Sequence, residues 1–224
     1  DRVEVAGNAV LESSDPIRTP TVELTGPTGT GGYTEVPGPV VAETVVVNGN
    51  VLASGIVATT LTVNAGAKLT SSASTAAEVK ALDLDISGVL TIEDGGSIDV
   101  TGKGYPRGAT YPEAGGSGES GGSHTGVGGV QASAGAKPTY GSVERPQEAG
   151  SGGFRGSGAQ AGGGVIRVQA GSLVLGGSTA TIVGSGSGGA WDGSGAGGSI
   201  WIKATSIAGD GLIEAAGGAG SYNW

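Results

Sequence analysis

The sequence GGGVIRVQAGSL of residues 162–173 returns 34 residues later, as AGGSIWIKATSI of residues 196–207. In both copies a glycine run leads into a stretch in which apolar and polar side chains alternate, the pattern of a half-buried strand. Shorter apolar stretches and a second glycine run follow each copy. A repeat of this length, with several short strands and no helix, is typical of one coil of a β-solenoid.

A second repeat lies upstream, where TLTVNAGAKL of residues 60–69 aligns without a gap with VLTIEDGGSI of residues 89–98. Each copy reads as a strand, a corner and a strand, and Gly66 and Gly95 supply the positive φ that a tight corner requires. The spacing of 29 residues differs from 34, as expected when loops of different length leave a common core. We therefore predict an all-β chain that folds as a parallel β-helix, right-handed by the general preference of parallel crossovers.

The composition limits both the core and the partners of the chain. Among 224 residues, 49 are glycine, one is phenylalanine and none is methionine or cysteine, so the core must consist of Val, Ile, Leu and Ala without disulfides. The net charge of −9 argues against a nucleic-acid surface, which needs a basic stripe, and against binding to anionic lipid. No apolar run approaches the roughly 18 residues that span a bilayer, so we expect no membrane insertion.

Differences in composition and in the pattern of apolar residues divide the chain into three parts. Residues 1–44 contain short alternating stretches separated by prolines, and we predict that they form an N-terminal cap or linker strands over the open end of the solenoid. Residues 45–224 form the predicted β-helix. Within it, residues 101–161 lack a convincing strand and are rich in glycine and serine, so we predict an ordered glycine-rich insertion that folds against the solenoid flank.

A resemblance to known proteins rests on four features: residues 95–106, residues 121–129, residues 140–142 and the two glycine-led strands of the 34-residue repeat. From residue 45 to residue 224 the chain resembles the glycine-rich parallel β-helix modules of large secreted or surface-attached bacterial proteins, including adhesin-like ones. The resemblance implies a secreted or cell-surface location and a scaffold, adhesion or glycan-contact role. It also implies that neighbouring domains or subunits of the same surface protein are partners. It implies no set of catalytic residues.

Aromatic and charged residues from residue 105 onward are candidates for glycan binding. A pyranose ring stacks on a flat apolar side chain while charged groups bind its hydroxyls. The predicted ligand-binding residues are Tyr105, Arg107, His124, Trp191, Asp192 and Trp201. Trp201 alternates with Ile200 and Ile202, so its side chain should point outward from the strand. The alternative for each aromatic residue is that it packs the insertion onto the solenoid, and for His124 that its ring nitrogens hydrogen-bond loop carbonyls.

Two aspartates are candidates for calcium ligands. The sequence GGSID of residues 95–99 resembles part of a calcium-binding nonapeptide repeat but lacks its third glycine, so we predict no obligatory cofactor and only an incidental calcium at Asp94 and Asp99. Carboxylates of stacked coils, such as Asp83 and Asp85, also have the acidic character that carbohydrate-cleaving enzymes use. The alternative for these two residues is a solvated strand face.

Together these features favour a non-catalytic extracellular structural or adhesive module of a bacterial surface protein. Exposed aromatic residues would contact cell-surface or matrix glycans. Two alternatives stay open at the level of the sequence. One is a carbohydrate-active enzyme, a lyase or a hydrolase, on the same fold. The other is a self-assembling extracellular filament subunit, in which end coils pair between molecules.

Overall fold

A computed structural model describes residues 2–6, 17–111, 120–129, 138–154, 160–190 and 193–221 of the chain. All regular secondary structure in these ranges is β-strand, and every strand runs parallel to the strands it pairs with. No helix of the described residues is long and apolar enough to cross a membrane. The predicted all-β, parallel β-helix architecture is confirmed.

Fifteen strands follow one another along the described ranges. In chain order they are β1 (Arg2–Ala6), β2 (Ile17–Thr25), β3 (Thr34–Val36), β4 (Val40–Asn48), β5 (Asn50–Ala53), β6 (Gly55–Val63), β7 (Lys68–Thr70), β8 (Ala81–Ile92), β9 (Ser97–Asp99), β10 (Val165–Leu175), β11 (Thr181–Val183), β12 (Gly189–Ala190), β13 (Ser199–Gly209), β14 (Leu212–Glu214) and β15 (Gly220–Ser221). A long-strand sheet has the order β1-β2-β4-β6-β8-β10-β13, and a short-strand sheet has the order β3-β5-β7-β9-β11-β14. The short strands β12 and β15 pair with each other.

From β2 onward, each coil contributes one strand to each sheet, so successive coils stack and the sequence repeats lie side by side. Along the 34-residue repeat, β10 pairs with β13 and Val165 lies opposite Ser199. Strands β6 and β8 pair in the register of the upstream repeat. The corner residues Gly66 and Gly95 have φ angles of 73° and 82°, which confirms the left-handed conformation predicted for them.

Rows of aliphatic side chains between the two sheets form the core. On the long-strand sheet, successive register partners in one row are Val22, Val45, Leu61, Leu90 and Leu173, and all are fully buried. On the short-strand sheet, the matching row is Val51, Leu69, Ile98 and Ile182. Each such side chain contributes about 1.5–3 kcal/mol by its burial, so these rows are the main source of stability. The rows end on the last coil at Ile207 and Ile213, which are 55% and 40% exposed.

The N-terminal strands belong to the same stack as the later ones. Strand β1 pairs with β2 and β2 pairs with β4, so the long-strand sheet is continuous across residue 44. Val22 and Leu24 of β2 are fully buried in the same core cluster as Val45. The assignment of residues 1–44 as a cap or linker stays a prediction about domains, but the sheet has no break at that boundary.

The connections from the short-strand sheet back to the long-strand sheet differ greatly in length. Residue 54 alone joins β5 to β6, whereas residues 71–80, 100–164 and 184–198 make the later connections. None of the fifteen strands lies in the described parts of residues 101–161. Backbone hydrogen bonds from Gly163 N to Ala196 O (2.8 Å) and from Ala196 N to Ser151 O (2.9 Å) tie the connection 100–164, which contains the insertion, to the connection 184–198. These two long connections therefore pack on each other.

Glycine is required where these connections touch. A Cβ on Gly162 would overlap the carbonyl oxygen of Gly150, and a Cβ on Gly195 would overlap that of Ala161. Segments that approach so closely can bring backbone N–H and C=O groups together without strand pairing. Much of the unusual glycine content is thus a packing requirement of the connections.

Candidate functional site

Trp201 lies on the outer face of the long-strand sheet. Its neighbours Ile200 and Ile202 pack against the core, so the indole takes the opposite face, as the alternation predicts. In the register of the sheet, Trp201 of β13 is the partner of Arg167 in β10, and Arg167 is the partner of Asp83 in β8. An aromatic ring, a cation and a carboxylate therefore follow one another across three adjacent strands.

This row lines a shallow groove of about 500 Å³, which we call the outer groove. Its principal lining residues are Val57, Asp83, Asp85, Arg167, Gln169 and Trp201. They come from β6, β8, β10 and β13, so the rigid ladder of the sheet sets their spacing. Two carboxylates and one guanidinium give the outer groove a net negative charge.

The guanidinium of Arg167 is oriented by Asp83, whose Oδ1 lies 3.1 Å from Nη1. Both side chains are partly exposed, so this ion pair contributes at most about 1 kcal/mol to stability. Its main effect is to hold Arg167 beside Trp201. A guanidinium has five N–H donors, and this contact uses one of its nitrogens. The remaining donors of Arg167 can bind a ligand.

A second cavity, of about 400 Å³, also has Arg167 and Trp201 in its lining, and we call it the loop niche. Its lining residues are Glu144, Arg145, Pro146, Gln147, Arg167 and Trp201. The hydroxyl of Ser142 accepts hydrogen bonds from the backbone N–H groups of Glu144 (3.2 Å) and Arg145 (3.1 Å), which fixes the turn of the loop. The hydroxyl of Ser199 donates to the carbonyl of Glu148 (2.6 Å) and anchors the end of the loop to β13.

Sequence analysis missed Arg167 as part of a site and did not place residues 144–147 beside Trp201. The signal for Arg167 was present, because the 34-residue repeat aligns it with Trp201 on the same face of neighbouring strands. The loop niche had no such signal. Residues 144–147 lie in the non-repeating insertion, and only the packing of that insertion brings them to β13.

Tyr105, a predicted glycan-binding residue, is only 3% exposed. It packs with Ala149 and Val165 in a second core cluster between the insertion and β10, and burial raises the pKa of its hydroxyl. Its ring is therefore a packing element and does not offer a stacking face to a sugar. Arg107 is exposed in the turn that follows and lines neither the outer groove nor the loop niche.

His124 is also buried, with 6% of its surface exposed. Its Nδ1 lies 2.9 Å from the carbonyl oxygen of Gly197, which matches the expectation that it hydrogen-bonds a loop carbonyl, and its ring lies 5.0 Å from that of Tyr140. Among the described residues, Nε2 has no hydrogen-bond partner. Burial lowers the pKa of His124, so the neutral ring is the favoured form. His124 joins the insertion to the connection 184–198. It lines neither the outer groove nor the loop niche.

Trp191 and Asp192, the other two predicted glycan-binding residues, lie outside the described residues. Their role stays a prediction. Of the six candidates for glycan binding, the structure places Trp201 in a surface groove with polar partners from neighbouring strands.

The two predicted calcium ligands have protein partners in different coils. Asp94 Oδ1 accepts hydrogen bonds from Thr179 N (3.1 Å) and Oγ1 (2.6 Å), which lower the pKa of Asp94. Burial raises the pKa of Asp99, but hydrogen bonds from Lys68 (2.7 Å) and the backbone N–H of Thr101 (2.8 Å) outweigh it, so this pKa also lies below its usual value. Within the described ranges, no three His, Asp or Glu side chains are grouped so as to hold a metal ion. Both carboxylates link successive coils.

Comparison of the chain with protein-family models, curated proteins and solved structures gives no match. A parallel β-helix is a scaffold, and a scaffold alone does not indicate a function. The function must therefore be inferred from the outer groove and the loop niche.

Proposed function

We propose that this chain is a non-catalytic, extracellular structural and adhesive module that contacts glycans through the outer groove. The observation that carries the proposal is the position of Trp201. Its indole lines an open groove on the outer face of a rigid sheet, next to the ion pair of Arg167 and Asp83. This is the combination of flat apolar surface and hydrogen-bonding groups that a sugar ring requires.

The geometry suits a polymer better than a small enclosed ligand. The outer groove is shallow and open, and it crosses several strands of the long-strand sheet. Side chains fixed on neighbouring strands are already ordered before binding, so little conformational entropy is lost when a chain of sugars docks. Repeated weak contacts of this kind fit a module that attaches a large surface protein to a matrix.

The extracellular location and the surface-protein context rest on the resemblance to glycine-rich β-helix modules. In that setting, neighbouring domains or subunits of the same surface protein are the expected protein partners. The stacked rows of buried aliphatic side chains make the module stiff, because each coil is hydrogen-bonded to the coils on either side along two sheets. A stiff spacer can hold the outer groove away from the cell body.

A glycan array with matched variants tests the proposal. The wild-type chain should bind a subset of polysaccharides, and Trp201→Ala should lose that signal. Tyr33→Ala is the control, because Tyr33 is an aromatic residue that lines neither cavity. Retention of the full signal by Trp201→Ala would contradict the role of the outer groove.

The outer groove also allows a test of the alternative that the chain is an enzyme. Asp83 and Asp85 lie two residues apart on one face of β8 and both line the groove, as a pair of catalytic carboxylates could. A non-catalytic module leaves a bound polysaccharide intact over prolonged incubation. Release of reducing ends or of unsaturated sugars that Asp85→Asn abolishes would instead assign the chain to the carbohydrate-active enzymes.

A further inference from the structure

The two cavities beside Trp201 differ in charge although they share two residues. The outer groove has the carboxylates of Asp83 and Asp85 against the guanidinium of Arg167. The loop niche has the guanidinium groups of Arg145 and Arg167 against the single carboxylate of Glu144. In a chain with a net charge of −9, the loop niche is a local site where cations outnumber anions.

Arg145 is available for a ligand. It is exposed, and its side chain forms no ion pair with a carboxylate of the described residues. The hydrogen bond from its backbone N–H to Ser142 Oγ holds the loop in the turn that brings Arg145 to the niche. Arg167 extends from β10, where Asp83 contacts one of its guanidinium nitrogens and leaves further N–H donors for a ligand.

Two guanidinium groups beside an indole suit one class of sugar. Arginine recognises carboxylate oxygens through paired N–H donors, and these charge-assisted hydrogen bonds are stronger than those to neutral hydroxyls. The indole of Trp201 offers its apolar face to a pyranose ring at the border of the two cavities. Glu144 and Gln147 can accept hydrogen bonds from sugar hydroxyls within the niche.

We infer that the loop niche binds the carboxylate of an acidic sugar, while a neighbouring ring of the same chain stacks on Trp201. This inference rests on the proposed glycan-binding function and narrows it to polysaccharides that contain uronic acid. Binding is non-covalent, and no bond of the sugar is broken.

Oligogalacturonate and its methyl ester provide the test, because the ester keeps the sugar ring and removes only the negative charge. Isothermal titration should show that the acid form binds more tightly than the ester. Arg145→Gln should weaken binding of the acid form by about tenfold and leave binding of the ester unchanged. Trp201→Ala should weaken both forms. Arg107→Gln, which makes the same change of charge at an exposed residue outside the niche, should have little effect on either.

The outcomes separate this inference from the proposed function. Equal binding of acid and ester, or equal effects of Arg145→Gln and Arg107→Gln, would overturn the acidic-sugar site. If in addition Trp201→Ala still weakens binding of the ester or of a neutral polysaccharide, the glycan-binding function stands. Absence of binding to every charged and neutral polysaccharide would overturn both. Added salt should weaken binding of the acid form but not of the ester, and this difference would support the site.

Discussion

Arg167 and Trp201 are register partners in adjacent parallel strands, and their side chains lie next to each other on the outer face of the sheet. The repeat in the sequence causes this arrangement, since β10 and β13 are its two copies. Strands of one sheet are about 4.8 Å apart, so a cation and an indole at matched positions are adjacent without any further adjustment. A loop of the insertion then closes one side of the pair and forms the loop niche.

Substitution of Gly162 tests whether glycine is required for packing of the insertion. In Gly162→Ala the new Cβ would overlap the carbonyl oxygen of Gly150, and we expect a loss of about 1–3 kcal/mol in the free energy of unfolding. Gly126→Ala is the control, because a Cβ there would have no atom within 4 Å. Urea unfolding checks both variants. Equal stability of the two would contradict the close packing of these connections.

The carboxylate of Asp99 should stabilise the fold in a pH-dependent way. Its pKa is lower in the folded state than in the unfolded chain, so its contribution is present above the usual aspartate pKa and is lost as the pH falls through the lower, folded value. Asp99→Asn should reduce the free energy of unfolding near pH 7 by about 1 kcal/mol, a figure that allows for solvent screening of the contact with Lys68. The difference from wild type should shrink as the pH falls below about 4.

Lys68→Met provides a complementary measurement for this pair. It removes the cation 2.7 Å from Asp99 Oδ2 and keeps most of the side-chain length. The double variant with Asp99→Asn should be less destabilised than the sum of the two single variants, because each single change removes the same contact. Additive effects would show that the contact does not link the coils of β7 and β9.

His124 should make the fold sensitive to mild acid. Burial holds its pKa in the folded state below the value in the unfolded chain, so the unfolded chain takes up a proton first as the pH falls below about 6.5. Stability should therefore be full above that pH and decrease as the pH drops toward the folded pKa. In His124→Gln this decrease of stability with falling pH should be absent, whatever stability the substitution loses at neutral pH. Thermal unfolding over a pH series gives the comparison, and an unchanged slope would contradict the buried neutral ring.

The repeats were sufficient to predict the later coils but not the earlier ones. Residues 162–173 and 196–207, and residues 60–69 and 89–98, lie in the sheets at the register that their alignment predicts. The coil from β4 to β6 is much shorter, with Val40 opposite Ile56, because residue 54 alone replaces the glycine-rich connection. No repeat of about thirty residues could therefore show that β2 and β4 continue the same sheet.

Only the part of the candidate site that lies on the paired strands of the long-strand sheet could be predicted from the sequence. Alternation with Ile200 and Ile202 was enough to predict the outward direction of Trp201. Tyr105 is also aromatic, but its burial depends on contacts with Ala149 and Val165, which are distant along the chain. Local patterns contain no information about such contacts.

Binding of a soluble polysaccharide followed through tryptophan fluorescence tests the central claim most directly. The chain has three tryptophans, and Trp201 is the one that lines the outer groove in the described residues. We predict a saturable change of emission in wild type and in Tyr33→Ala that is absent in Trp201→Ala, with the folded state of all three confirmed by circular dichroism. The same saturable change in Trp201→Ala, with an unaltered dissociation constant, would contradict glycan contact through the outer groove.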